Sequence, residues 1–223
     1  MPVYIFASPL GNLEDISLRA LSTLKELDVL LCEDTRVSSK LLARYAVKVP
    51  MKSVHEHTDE DAIRHILSGY SPDKHIGYIT DAGTPGLADP GGKVISACMA
   101  LGMQVIPLPG PSSFSTLVSV CHFPIHPIEV HGFAPTKKGR KTFLEHIVER
   151  DESSFFCESP HRIMKTMEYL AEHAPHRYAV VGKELTKQFE KVYNGEIGDI
   201  YARMKVDVIK GEFSIILGPR TWK

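Results

Sequence analysis

The sequence is short of cysteine, has a single tryptophan and carries almost no net charge. Lys plus Arg number 26 and Asp plus Glu 27 in 223 residues. A chain this close to neutral has no bulk field to draw it to nucleic acid, so any polyanion contact has to come from a local patch. The four cysteines, Cys32, Cys98, Cys121 and Cys157, stand far apart and form no C-x-x-C. Each lies in or beside an apolar segment, which predicts buried free thiols in a reducing compartment rather than a disulfide framework. No apolar stretch approaches the span of a bilayer, so no membrane partner is expected. The opening run, residues 3–7, is too short for a secretory signal and lacks a basic flank; a soluble cytoplasmic protein is the expectation.

Several site chemistries are missing as well. There is no G-x-x-x-x-G-K-[ST], so no phosphate-cradling P-loop, and no G-x-G-x-x-G after the first strand, so no ordinary dinucleotide fingerprint. H-E-x-x-H and G-x-S-x-G are also absent. His55-Glu56-His57 offers two metal ligands, but no third stands at a telling spacing, and no metal is expected.

What is present is a set of loops rich in small residues. The longest, residues 81–92, reads DAGTPGLADPGG and holds four glycines, two prolines and two aspartates. Such a mixture suits neither a helix nor a strand interior. An apolar run at 76–80 leads in and an amphipathic run at 94–101 leads out. That context predicts a ligand loop at the carboxyl end of a strand, longer than the usual two to six residues of a plain βα turn. Ser8 to Asn12 and Pro109 to Ser113 form two more loops of the same kind. Glycine and serine let the backbone approach a flat ligand closely.

Up to Leu108 short apolar runs alternate with amphipathic helices about five times: strands at 3–7, 29–32, 51–54, 76–80 and 104–108. The helices between them include one with leucines at 18, 21, 24 and 27, capped by Asp15 or Ser17. This predicts an α/β fold with an open, mostly parallel sheet and helices on both faces. The proline-punctuated stretch 111–127 reads as a boundary, giving an N-terminal α/β domain at 1–111 and a C-terminal one at 112–223. The second half predicts strands at 128–133, 154–157, 178–183, 189–193 and 213–217 with helices near 139–150, 163–173 and 197–204. Its short links imply a mixed sheet.

Polar clusters follow several strands. Glu33-Asp34-Thr35-Arg36 ends the second; Glu158-Ser159-Pro160-His161-Arg162 and Glu184-Leu185-Thr186-Lys187 occur later. Lys137, Lys138, Arg140 and Lys141 are the densest cations, a basic cluster at a helix start that serves either as an RNA-backbone contact or as a solvated helix end. Four cations there oppose the helix dipole and call for compensation. Arg162 and Lys187 are further candidates for RNA, or for pairing with Glu158 and Glu184.

These residues, in this order, resemble a known family. Ser8-Pro9-Leu10-Gly11-Asn12-Leu13-Glu14-Asp15-Ile16, Cys32-Glu33-Asp34-Thr35-Arg36, Asp81-Ala82-Gly83-Thr84-Pro85-Gly86, Pro109-Gly110-Pro111-Ser112, Glu158 to Arg162 and Lys183 to Lys187 match the tetrapyrrole-methylase superfamily. Within it they are most similar to the bacterial ribose 2′-O-methyltransferases of small-subunit rRNA. The resemblance covers nearly the whole chain, with Ser8 and Ala88-Asp89 departing slightly from the pattern.

The resemblance implies two α/β domains with S-adenosylmethionine in a cleft between them, and a homodimer. It implies a cytidine ribose in the decoding region of 16S rRNA, in the small ribosomal subunit, as substrate. It places cofactor contacts on Leu10, Ala82, Gly83, Thr84, Leu87, Ser112 and Ser113, and on Phe156, Cys157 and Glu158. Longer members carry a further C-terminal segment where this sequence stops six residues after Leu217, which puts its RNA affinity or substrate choice in question. A ribose hydroxyl is a poor nucleophile and needs a base. Asp34 or Glu33, at a strand's end, is the candidate, with Arg36 gripping a phosphate or orienting the carboxylates; the alternative is a local salt-bridged turn. Two other readings stay open: a methylase of a tetrapyrrole, another small molecule or a protein, and a cofactor-binding module without catalysis.

Overall fold

The computed structural model describes residues 1–87 and 89–222; Ala88, within the long loop, and Lys223 lie outside the described residues. The chain divides into two units, Met1–Ser112 and Ser113–Lys223.

The first unit alternates strand and helix throughout. Its strands are β1 (Pro2–Phe6), β2 (Val29–Cys32), β3 (Met51–Ser53), β4 (Ile76–Ile79) and β5 (Gln104–Leu108). Its helices are α1 (Leu18–Leu24), α2 (Thr35–Arg44), α3 (Glu60–Ser68) and α4 (Gly91–Ala100). All strand pairs are parallel, in the order β3-β2-β4-β1-β5. Strand alternation sorts the side chains. Val3, Ile5, Val29, Leu31, Ile76 and Tyr78 pack with Ile63 and Leu67 of α3 and Val94, Ala97 and Cys98 of α4. Phe6, Leu30, Cys32 and Ile79 pack with Ala20 and Leu24 of α1 and Leu41 and Leu42 of α2 on the other face. Each large side chain taken fully from water contributes roughly 1.5–3 kcal/mol. Gly77 is required where the sheet meets α1's end, because a Cβ there would lie 2.4 Å from Leu27 Cδ1 and 2.9 Å from Phe6 Cε2.

This arrangement sends the chain after β1 to one face, into α1, and the chain after the neighbouring β4 to the other, into α4. Adjacent strands whose connections diverge in this way leave a crevice at their carboxyl ends, the usual ligand position of open α/β sheets.

The second unit holds α5 (Ser113–Val118), β6 (Ile128–Phe133), α6 (Arg140–Glu149), β7 (Ser153–Glu158), α7 (Ile163–His173), β8 (Tyr178–Lys183), β9 (Lys191–Glu196), α8 (Ile197–Met204) and β10 (Phe213–Leu217). Its sheet runs β6-β7-β10-β8-β9, with β6 parallel to β7 and the other pairs antiparallel. Phe156, Val181, Tyr193, Phe213, Ile215 and Leu217 form a core with α6, α7 and α8. Buried Arg177 ties this unit together, donating to the carbonyls of Ile147, Val148, Glu152 and Gly218. Burial, with the charge of Arg220 adding to it, holds its pKa down to about 10.

Three local expectations change, and one open alternative is resolved. Leu18 faces solvent, 85% exposed, because α1 buries Ala20 and Leu24 instead. Ser17, rather than Asp15, caps that helix, its hydroxyl accepting from Ala20 N–H. Residues 113–118, read as boundary and loop, form α5. Phe189 lies outside β9 and is exposed, since the chain first turns through Glu184 and Thr186, both at positive φ (50° and 64°). Cys32 and Cys98 are buried as expected, whereas Cys121 and Cys157 are only partly so; all four thiols are free.

Candidate functional site

Three loops of the first unit meet at the carboxyl edge of its sheet. Ser8 and Gly83 exchange backbone hydrogen bonds at 2.9 Å in both directions, joining the loop after β1 to the loop after β4. Thr84 Oγ1 donates to the Pro111 carbonyl at 3.1 Å and ties in the loop after β5. Glycine makes the approach possible at two points. Gly83 has φ 79°, and a Cβ on it would sit 3.3 Å from Leu10 Cδ2. A Cβ on Gly110 would be 3.0 Å from Ala7 Cβ. The Asp89 carboxylate folds the far side of the long loop, accepting from Gly86 N–H and Gly91 N–H. Leu10 is half-buried against Gly83, Ala82, Thr84 and Leu87 are exposed, and Ser112 is half-buried at the end of the third loop.

Beside these loops the ends of β2 and β4 are strapped together. Asp34 N–H donates to Asp81 Oδ1 at 3.1 Å, and Asp81 N–H donates to Glu33 Oε2 at 3.4 Å. The three acids then differ in their partners. Asp34 caps α2, accepting from Arg36 N–H at 2.8 Å, and is held by the Arg36 guanidinium at 2.6 Å. That side-chain hydrogen bond keeps its carboxyl down at about 2. Glu33 and Asp81 have no salt bridge among the described residues, and burial pushes both upward from the ordinary carboxylate range. So the predicted salt-bridged turn exists, but it contains Asp34 and Arg36 and leaves Glu33 out.

The second unit places its candidates differently. Phe156 is fully buried in the core facing α6 and α7. Glu158 is fully buried too, and is held by Arg140 Nη2 at 2.7 Å, Arg162 Nη2 at 2.8 Å and the Thr166 hydroxyl at 2.9 Å. Cys157 alternates to the opposite face, its Sγ 3.7 Å from Ser214 Oγ and its thiol also bonded to Ser113. Of the predicted basic cluster, Lys137, Lys138 and Lys141 are exposed, Lys141 reaching Glu145 at 3.6 Å. Arg140 is withdrawn from that cluster because its charge is committed to Glu158, and Arg162 is engaged there as well. Lys187 bridges Glu184 and Glu212, at 2.9 Å each. Among the described residues no group of three His, Cys, Asp or Glu is arranged around a metal position. None of the described helices is long and apolar enough to cross a membrane.

The sequence pattern described as tetrapyrrole (corrin/porphyrin) methylases matches residues 2–201. The chain belongs to this family. It is 35% identical over 216 residues to the ribosomal RNA small subunit methyltransferase I of Bacillus subtilis, covering 96% of this chain and 74% of that one. The proteins of the same name from Borrelia garinii and Thermotoga maritima are 36% and 33% identical, with 97% and 96% of their lengths covered. Among solved structures, the methyltransferase CobJ superposes with a TM-score of 0.70 at 16% identity, covering 97% of this chain and 93% of that one. Uroporphyrin-III-C-methyltransferase from Thermus thermophilus gives 0.68 at 18%, covering 98% and 94%. These likenesses share the architecture of two α/β units.

Two residues of this tetrapyrrole methylase escape a reading by motif chemistry. Asp81 opens the long loop in the sequence, yet its role as Glu33's neighbour exists only because β2 and β4 pair across 47 intervening residues; the doubly wound topology was the available signal. Tyr78 is fully buried on the α3/α4 face of β4, and its Oη finds no hydrogen-bond partner among the described residues. Burial, with Asp89 and Glu33 nearby, pushes its pKa upward.

Proposed function

We propose that this chain is an S-adenosylmethionine-dependent methyltransferase that methylates the 2′-oxygen of a cytidine ribose in the decoding region of 16S rRNA. The relatives named as small-subunit ribosomal RNA methyltransferases, alike over nearly the whole chain, support the RNA substrate. The observation that carries the chemistry is a pair of carboxylates without a cationic partner, Glu33 and Asp81, on the sheet edge where the glycine-dependent loops converge.

The loops fit the donor. Backbone held open by Gly83 and Gly110, the Thr84 hydroxyl and the apolar Leu10 and Leu87 suit a ligand with a flat heterocycle, a sugar and a charged tail. Leu10, Ala82, Gly83, Thr84, Leu87 and Ser112 hold it on this reading. S-adenosylmethionine supplies an electrophilic methyl group on a sulfonium. The protein's task is to hold the ribose oxygen in line at about 3–3.5 Å from that carbon. Glu33 takes the hydroxyl proton as the oxygen–carbon bond forms and the carbon–sulfur bond breaks. A carboxylate raised by burial is a stronger base than one held at about 2, so Glu33 serves here and Asp34 does not. Asp34 and Arg36 fix the start of α2, and Lys137, Lys138 and Lys141 meet RNA phosphate. The enzyme acts in the cytoplasm, as a homodimer, on the small ribosomal subunit.

The test is labelled-methyl transfer with purified protein and 30S subunits from cells lacking this activity. Label at one cytidine ribose of 16S rRNA is expected. Label in a tetrapyrrole or another small molecule instead, or donor binding with no acceptor labelled, overturns the assignment.

A further inference from the structure

Helix α2 leaves the Glu33 loop with a charge pattern that the chemistry above does not use. Its sequence, TRVSSKLLAR, carries Arg36, Lys40 and Arg44 and no acid. The residues are four apart, so they form one stripe, about 6 Å between successive positions along the axis. The helix buries Ser38, Leu41 and Leu42, and the cations occupy the opposite side. The Arg36 side chain is 87% exposed. Lys48, also exposed, follows beyond the helix and lines an open groove of about 490 Å³ with Leu42, Val47, Val49 and Met51.

Internal pairing accounts for Arg36, held by Asp34 at 2.6 Å, but not for the rest of the stripe. Lys40 and Lys48 have no ion-pair partner among the described residues, and Arg44 has an exposed pair with Glu14 at 3.2 Å and lies over the Tyr45 ring. An exposed pair of that kind contributes little and yields readily to a better anion. The exposed face carries no large apolar residue that would suit a lipid surface. Meanwhile the edge that has to receive a polyanion holds Glu33, Asp34 and Asp81, which repel it. A cationic track starting at that edge offsets the repulsion.

We infer that the α2 stripe, Arg36, Lys40 and Arg44 with Lys48, is a docking surface for the RNA backbone, guiding the substrate strand toward the Glu33 loop. This rests on the RNA-methyltransferase reading and extends it to a surface separate from Lys137, Lys138 and Lys141.

The decisive experiment titrates 30S subunits and a 16S rRNA fragment with the full chain over a range of KCl. The variant is Lys40→Gln/Arg44→Gln/Lys48→Gln, which leaves Arg36 and the acids alone. Its affinity for RNA should fall about tenfold or more at 0.1 M salt, and the slope of log K against log salt should shrink by about 2–3. S-adenosylmethionine affinity and melting temperature should match the wild type. The charge-keeping Lys40→Arg/Arg44→Lys/Lys48→Arg should bind nearly as well as wild type. If the wild type methylates rRNA and the neutral variant binds with unchanged affinity and slope, the docking surface is wrong and the enzyme assignment stands. If the wild type neither binds nor methylates rRNA, both fall.

Discussion

Two acidic centres, one in each unit, receive opposite treatment. Glu158 is sealed from water and surrounded by two guanidinium groups and a hydroxyl. Glu33 is half-buried and its carboxylate accepts one long backbone hydrogen bond, with no salt bridge among the described residues. A fold that simply needed polar groups satisfied would treat both as it treats Glu158, because an uncompensated buried charge costs stability. The contrast separates an acid that fixes structure from one kept available for proton transfer. Perturbed, unpaired carboxylates at a ligand edge are where chemistry is expected. Both kinds occur next to strand ends, so sequence position alone does not tell them apart.

The comparison breaks most visibly if Glu158 turns out to be dispensable. Glu158→Gln leaves Arg140 and Arg162 facing each other in a buried site without a counter-charge. Loss of one partner of such a network costs about 3–5 kcal/mol, which denaturant titration reads directly. Replacing the whole group, Glu158→Leu with Arg140→Met and Arg162→Met, should cost much less, since no charge is then stranded. A small loss in Glu158→Gln would mean that the arginines are compensated by something else.

Glu33→Gln sharpens the other side. Removing a general base lowers turnover by about a hundredfold or more, while S-adenosylmethionine affinity stays near wild type. Because Glu33's pKa is raised in the folded protein, its charged form opposes folding. That penalty is absent below the unfolded value of 4.5, grows as pH rises from there toward the raised folded value, and is constant above it. The glutamine variant should therefore melt at the same or a higher temperature at neutral pH. The pH profile of turnover gives a second reading. The wild type should show an acidic limb whose midpoint lies above 4.5, and the variant should lack it. Wild-type turnover in Glu33→Gln would remove this residue as the base and leave Asp81 as the remaining unpaired acid.

The strand pattern was largely legible in the sequence, because burial on both faces of a parallel sheet forces continuous apolar runs. The bounds of β2, β5, β8 and β10 follow from composition alone. Helix α5 was not legible: six residues, SFSTLV, are too few to show a helical period, and the prolines around them suggest a boundary. Phe189 misleads because an aromatic three residues before Val192 looks like strand, while the turn at Glu184 and Thr186 depends on backbone conformations that neither residue type advertises. The loops of the candidate site were visible through their glycines. Their partners were not. Nothing local to Lys137, Lys138 and Lys141 shows that Arg140 turns inward to an acid 18 residues on. Nothing local to Glu33 shows that its neighbour is Asp81 rather than Arg36.

The smallest expected effect belongs to Asp34, the acid that most resembles a catalytic residue by sequence. Asp34→Asn keeps a side chain that caps a helix about as well as aspartate does, and loses only the exposed pairing with Arg36. Turnover and neutral-pH stability should barely move, in contrast to Glu33→Gln next door. The small stability difference should be present at neutral pH and fade in acid. The wild-type carboxyl, lowered from 3.8 to about 2, adds stability above 3.8 and loses it as pH falls toward 2; the asparagine lacks that titration, so the two proteins' acid-unfolding curves should converge across this window. If Asp34→Asn instead abolished turnover while Glu33→Gln did not, the roles given to the two neighbours would have to be exchanged, and a carboxylate held by an arginine would be the one that accepts the proton.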